Sequence, residues 1–454
     1  MKKNRSAGRP LRIEALEERR MLAVFTVDDS FAANDPAARE FTTIQAAVNA
    51  ASAGDKIEVK PGTYEENVVV DKQLKIVGAD ASLANYRDPT KASIVDPINN
   101  TTASSPAIAF DLQADGIEIE GFTIGEFDTT TYPDGTIGIR TSASHAGYEI
   151  EDNVIEANTI GIYLNSDTST TTPPSETEVK DNVIRNNNRA GTNSGNGIYS
   201  DQGLQNAKIK HNDFTVTNTT ASIKIVAGDD DSETNTLQSN ITIKKNDFEN
   251  LTGAGIYFEN VVDSLIDHND LENIAKSGIQ LNGGNDNVTI NRNDLESVGT
   301  QDFYGIILSD SLEIDANTNN LIKRNHITGA GLTGMLISDS TANTIERNKI
   351  KATLGGELED DSDGNGISLV NADNNSLKRN KVKENARHGI FIDADSTGNT
   401  LIRNKSKDND TEDEDGFDYN DDTTDGDGPS DTDNTYEKNK GGTQNVTGLI
   451  AKFI

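Results

Sequence analysis

The chain has 454 residues with no Cys and no Trp, only 33% hydrophobic residues, and a formal net charge of −34. The missing cysteines exclude disulfides and thiolate metal sites, and so acidic a surface excludes nucleic acid and anionic membranes as partners, since both need basic contacts. No apolar run reaches the roughly 18 residues of a membrane-spanning helix, so the core must be assembled from short stripes, as in a stacked solenoid.

Residues 1–25 are basic, whereas the rest of the chain is acidic. An ordinary signal peptide carries about 7–15 consecutive apolar residues. Here only "MLAVFTV" (21–27) is apolar, and Asp28 and Asp29 end it. Leu16, Glu17, Arg19, Met21 and Leu22 resemble the LEPR-XLL motif at the N-termini of exported and surface proteins of planctomycete-type bacteria, with Glu18 where that motif usually has Pro. The resemblance implies export, to the cell surface or beyond it.

Residues 26–80 read as a cap and the first coils. Thr42 with Gln45 makes a capping-box pattern, and Phe41, Ile44, Val48 and Ala51 share one helical face. Gly54 and Asp55 stop this helix, and "KIEVK" begins a strand alternation. A short amphipathic helix ahead of the first strand predicts a cover for the open end of a parallel solenoid. The stretches "GDKIEVKPGTYEENV" and "LKIVG" resemble the opening of right-handed parallel β-helix proteins of the pectin-lyase-like superfamily. Pectin methylesterases share a Pro-Gly-x-Tyr-x-Glu stretch, but so do members without known activity, so "PGTYEE" implies fold and not reaction.

Residues 81–450 are assigned to the repeats, which dominate from about 115. One phrase, apolar-x-x-Asn-x-apolar, places Asn153, Asn182, Asn212, Asn246, Asn269 and Asn293 in series. Asn325, Asn348, Asn380, Asn404 and Asn439 continue it. The tightest spacings are 23 and 24 residues. A unit this short, alternating at period 2, is one coil of three brief strands, with the Asn side chains stacked as a ladder at a turn. The second phrase, Gly-apolar-x-apolar, recurs from "GIYLN" (161) to "GIFID" (389). The predicted fold is all-β, a single-stranded right-handed parallel β-helix with a short N-terminal capping α-helix.

In the second phrase the apolar pair points inward and x points out, so the x residues of stacked coils form a surface column. That column is read as Arg140, Tyr163, Tyr199, Lys224, Tyr257, Gln280, Ile307, Leu336, Ser368, Phe391 and Asp418. Arg140, Tyr163, Tyr199, Lys224 and Tyr257 are the candidate polysaccharide-binding residues. Aromatic faces stack on sugar rings, and the cations meet hydroxyls or uronate carboxylates. Outward tyrosines also serve as plain cross-strand packing. The leading expectation is an exported β-helix that binds polysaccharide along this face. The alternatives are a polysaccharide lyase or epimerase acting on uronate glycans, and a structural or adhesive solenoid.

Catalytic residues are not assigned. Asp201 and Glu259 fall two coils apart, roughly 10 Å, just outside the separation of an inverting glycosidase pair. "GDDD" (228–231) resembles part of a polygalacturonase pattern, but no Gly-His-Gly or Arg-x-Lys follows, and the Asp-Pro-His-Glu motif of alginate epimerases is absent. Any enzyme here is therefore expected to be a lyase or epimerase before a hydrolase. His211, His268 and His326 adjoin ladder asparagines and are read as exposed turn residues. Segment 408–433 concentrates acids without one Lys or Arg, and its stretch 411–422 approaches a calcium loop. Asp413, Asp415, Asp418 and Asp422 are the candidate ligands, Ca²⁺ is the one cofactor expected, and a solvated acidic loop is the alternative.

Overall fold

Alternation at period 2, broken by a turn after every few residues, leaves the repeats no room for helix. The computed structural model describes residues 22–82, 84–98, 105–125, 135–169, 174–215, 218–227, 238–300, 303–310, 315–355, 363–411, 416–423 and 434–444. Each coil folds as three short strands, for example Leu321–Lys323, His326–Thr328 and Met335–Ser338. Every one of these pairs in parallel with its counterpart in the next coil. Three long sheets result, with 17, 13 and 13 strands among the described residues. The first runs from Val24–Val27 to Thr435–Glu437, the second from Gly62–Glu65 to Lys405–Lys407, and the third from Val68–Val70 to Tyr419–Asp421.

In-register apolar columns fill the interior. Ile266, Ile290, Ile322, Ile345, Leu377 and Leu401 follow one another in the first sheet, all fully buried. Burial of each such side chain contributes roughly 1.5–3 kcal/mol. Phe214 and Phe248 stack face to face with centroids 4.8 Å apart. The glycine of the second phrase has a packing reason: a Cβ on Gly255 would meet the Gly278 carbonyl oxygen at 2.5 Å and Leu271 Cδ2 at 2.6 Å.

The turn between the first and second sheets is the same in coil after coil. The residue before each ladder Asn takes a left-handed conformation, as at Arg292, Arg324, Arg347 and Arg379 with φ of 55°, 56°, 57° and 56°. That conformation costs a non-glycine residue about 1 kcal/mol, and the ladder behind it offsets the cost. Asn269 Oδ1 accepts from the backbone N–H and the side-chain amide of Asn246, both at 3.0 Å. Its own Nδ2 donates to Asn293 Oδ1 at 2.9 Å and to the Ile243 carbonyl at 3.1 Å. The ladder continues through every asparagine read from the sequence, Asn153 to Asn439.

The cap differs from its sequence reading in one residue. Helix Ile44–Ala50 starts after Thr43, not Thr42, and Thr43 Oγ1 accepts from Ala46 N. Glu66 completes the helix start from across the chain, accepting from the N–H groups of Ile44 and Gln45 at 2.8 and 3.0 Å. Burial raises the Glu66 carboxyl above its ordinary pKa. "PGTYEE" is thus a structural clasp, with Tyr64 inside and its hydroxyl donating to the Lys60 carbonyl at 2.9 Å.

One boundary also moves. Val24–Val27 is a strand paired with Lys56–Val59, so the end of the basic segment at residue 25 cuts through the first element. Coiling starts at Lys56, as read from "KIEVK", well before the Asn phrase appears, because the strands pair without it.

Candidate functional site

The outward column of the third sheet keeps the register read from the repeats. Arg140 pairs with Tyr163, Tyr163 with Tyr199, Tyr199 with Lys224, and Lys224 with Tyr257. The column also reaches one coil further back, to Asp111 opposite Arg140. At its far end Phe391 faces Asn420, not Asp418. Asp418 sits where other coils have Gly: the Ile390 N–H donates to its carbonyl, and Tyr419 fills the core position after it.

Outward does not mean exposed here. Tyr163 and Tyr199 stack on each other with centroids 5.8 Å apart and planes 19° off parallel. Tyr199 is only 5% exposed, in a second apolar cluster on the outside of the coil with Ile137, Ile160 and Val226. The Tyr163 hydroxyl donates to Asp201 at 2.5 Å, and the Tyr257 hydroxyl donates to Glu259 at 2.8 Å. Burial first, then these carboxylates, push all three phenols well above the ordinary tyrosine pKa. They therefore remain protonated donors at neutral pH.

The two cations differ sharply. Arg140 is held by Asp111 in a two-point pair, Nε to Oδ1 at 2.9 Å and Nη2 to Oδ2 at 2.6 Å. Lys224 makes no ion pair among the described residues; its ammonium lies 5.8 Å from the Tyr199 ring centre and 5.4 Å from that of Tyr257. The site is a cation cradled by two rings, with the carboxylates of Asp201 and Glu259 in the coils on either side. Tyr163 and Tyr199 stack face to face and Tyr199 is buried, so these two rings do not stand free as the expected aromatic platform.

Of the four predicted calcium ligands, Asp418 and Asp422 lie among the described residues. Asp413 and Asp415 lie outside the described residues. Asp418 is turned inward and accepts from Asn409 N and Nδ2, Gly442 N and Thr443 N at 3.4, 2.7, 2.5 and 3.2 Å. Those bonds occupy its oxygens, so it leaves the candidate set. Asp422 is exposed and accepts from Asn420 Nδ2 at 3.1 Å. Among the described residues no three His, Asp or Glu side chains gather to hold a metal ion.

Sequence reasoning missed two further ladders. Asn320, Asn343, Asn375, Asn399 and Asn434 form one, each five residues before a main-ladder Asn. Asn158, Asn187 and Asn218 form another. The Asn-x-x-x-x-Asn spacing carried the signal for the first.

Comparison with known proteins agrees with this geometry. Residues 234–404 and 302–450 match the family described as the right handed beta helix region. The chain has the fold of a right-handed parallel β-helix and is similar to that family over residues 234–450. No curated protein sequence matches it. Among solved structures the β-helix is similar to the Dettilon tailspike protein, with TM-score 0.51 and 16% identity over 83% of this chain and 66% of that one. It is also similar to DFA-IIIase from Arthrobacter chlorophenolicus A6 in complex with DFA-III, with TM-score 0.51 and 14% identity over 84% and 94%. A periplasmic alginate epimerase gives TM-score 0.42 and 13% identity over 86% and 76%. At these identities the likeness is one of fold.

Proposed function

We propose that this β-helix is an exported protein that binds polysaccharide along the outer face of the third sheet, with Lys224 as the central contact. The tailspike and the DFA-IIIase share only the fold with it, so the reading rests on one observation. Lys224 is a half-buried cation without a carboxylate partner among the described residues, set between Tyr199 and Tyr257. An ammonium so placed donates to sugar hydroxyls or a uronate carboxylate, while Asp201 and Glu259 accept from hydroxyls on either side. Export rests on the LEPR-XLL-like residues 16–22.

The test is a panel of plant and algal polysaccharides, with affinity and the absorbance of unsaturated products read on the same samples. Retention of one glycan class without product is the expected result. Product formation replaces the binding reading with a lyase, and no affinity for any glycan leaves a structural solenoid.

A further inference from the structure

Charge is sorted along the outer face of the second sheet. Asp213, Asp247, Asp270 and Asp294 follow one another in register, and His326, Lys349, Lys381 and Lys405 continue the same column. The reversal falls between Asp294 and His326, which meet at 3.3 Å. Like charges directly opposite one another destabilise a sheet, so the basic run is not a packing solution.

The turn beside it adds arginines. Arg324, Arg347 and Arg379 precede successive ladder asparagines and share one backbone conformation. With His326, Lys349 and Lys381 they line a groove of about 480 Å³ around Asn325. Glu346 is the carboxylate in reach, 3.3 Å from Arg347 and 3.7 Å from Arg379. Arg324, Lys349 and Lys381 make no ion pair among the described residues.

We infer that this groove is a second binding site, for a single anionic polysaccharide chain lying along the helix axis. It is independent of the third-sheet reading and sits on another face. Guanidinium forks and ammonium groups repeating once per coil, about 4.8 Å apart, suit carboxylate or sulfate groups repeating along an extended chain. No aromatic side chain lines the groove for bases to stack on, and the net charge of −34 opposes a densely charged nucleic acid. The acidic run beginning at Asp294 ends the site, which spans the coils from His326 to Lys405. Short oligomers should therefore saturate it.

The experiment uses the full chain with polygalacturonate, a sulfated galactan and a neutral galactan, comparing wild type with Lys349→Glu/Lys381→Glu. The expected result is that wild type binds an acidic glycan through this groove, which ignores the neutral one. The charge reversal should weaken binding at least about tenfold, and added salt should do likewise. The uronate and sulfate arms identify which anion is preferred. Should the double reversal misfold, Lys349→Gln/Lys381→Gln gives the same reading. Undiminished binding by a well-folded double variant overturns the proposal. So does preferential binding of single-stranded DNA. Salt-sensitive self-association without glycan affinity, seen by sedimentation, would instead assign the strip to the acidic run of a second copy.

Discussion

The inside and the outside of this coil obey different rules at the same spacing. At the ladder turn the coils from Asn153 to Asn439 repeat one residue, because each is held as Asn269 is, by Asn246 before it and Asn293 after it. On the outer face of the third sheet the residue changes from coil to coil: Asp111, Arg140, Tyr163, Tyr199, Lys224, Tyr257. Identical neighbours are required where each side chain completes the next one's hydrogen bonds. Where neighbours need only fit, the repeat leaves room for a site.

The largest effect should come from breaking the repeated side. Asn269→Ala leaves the Asn246 N–H and the Ile243 carbonyl without partners inside the coil. A stability loss of about 3 kcal/mol is expected in denaturant unfolding. Gln280→Ala, in the variable column at neighbouring height, should change stability by less than about 0.5 kcal/mol. Equal losses would erase the contrast.

Tyr199→Ala should cost about 2 kcal/mol, since its ring is packed against Tyr163, Ile137 and Ile160 on the outside of the coil. The same packing has a pH signature. The folded phenols of Tyr163, Tyr199 and Tyr257 ionise above the unfolded value of about 10. Their contribution is therefore fully present below about pH 10 and is lost as pH rises beyond it. Melting curves across that range should fall together with the appearance of phenolate absorbance, and should fall less in Tyr199→Phe.

The smallest expected effect is a gain. Asp270 is exposed on the outer face, where partial desolvation and then the neighbouring carboxylates of Asp294 and Asp247 hold its carboxyl above the ordinary range. Asp270→Asn should stabilise the chain by up to about 0.5 kcal/mol at neutral pH, and the gain should shrink as acidification protonates the wild-type carboxyl. A thermal scan of both proteins at two pH values measures it.

How much was legible follows from the same contrast. The main ladder could be read because one residue type recurs at a fixed place in its phrase. The ladder from Asn320 onward was harder to see, because Ser264 takes the corresponding place in an earlier coil, donated to by Ile241 N. The register of the outward column was legible from alternation alone. Its end was not: "GFDY" imitates the Gly phrase, yet Asp418 occupies the small-residue position and is caught by backbone donors from residues 442 and 443. Asp111 was missed because Ala109 stands where later coils have Gly. The burial of Tyr199 was hidden for a further reason. Alternation tells which way a side chain points, but the isoleucines that cover it come from other coils.

The central claim is that chemistry lies with Lys224, the cation of this column without an ion pair among the described residues, and Lys224→Ala beside Arg140→Ala tests it most directly. Both variants should be titrated with the glycan that wild type retains, and melted in parallel. Lys224→Ala should lose about tenfold or more in affinity with little change in melting temperature, because it removes a charge-assisted contact and no packing. Arg140→Ala should leave Asp111 without its partner, lower the melting temperature, and keep the affinity. Unchanged glycan affinity in Lys224→Ala, or a loss confined to Arg140→Ala, would contradict the account.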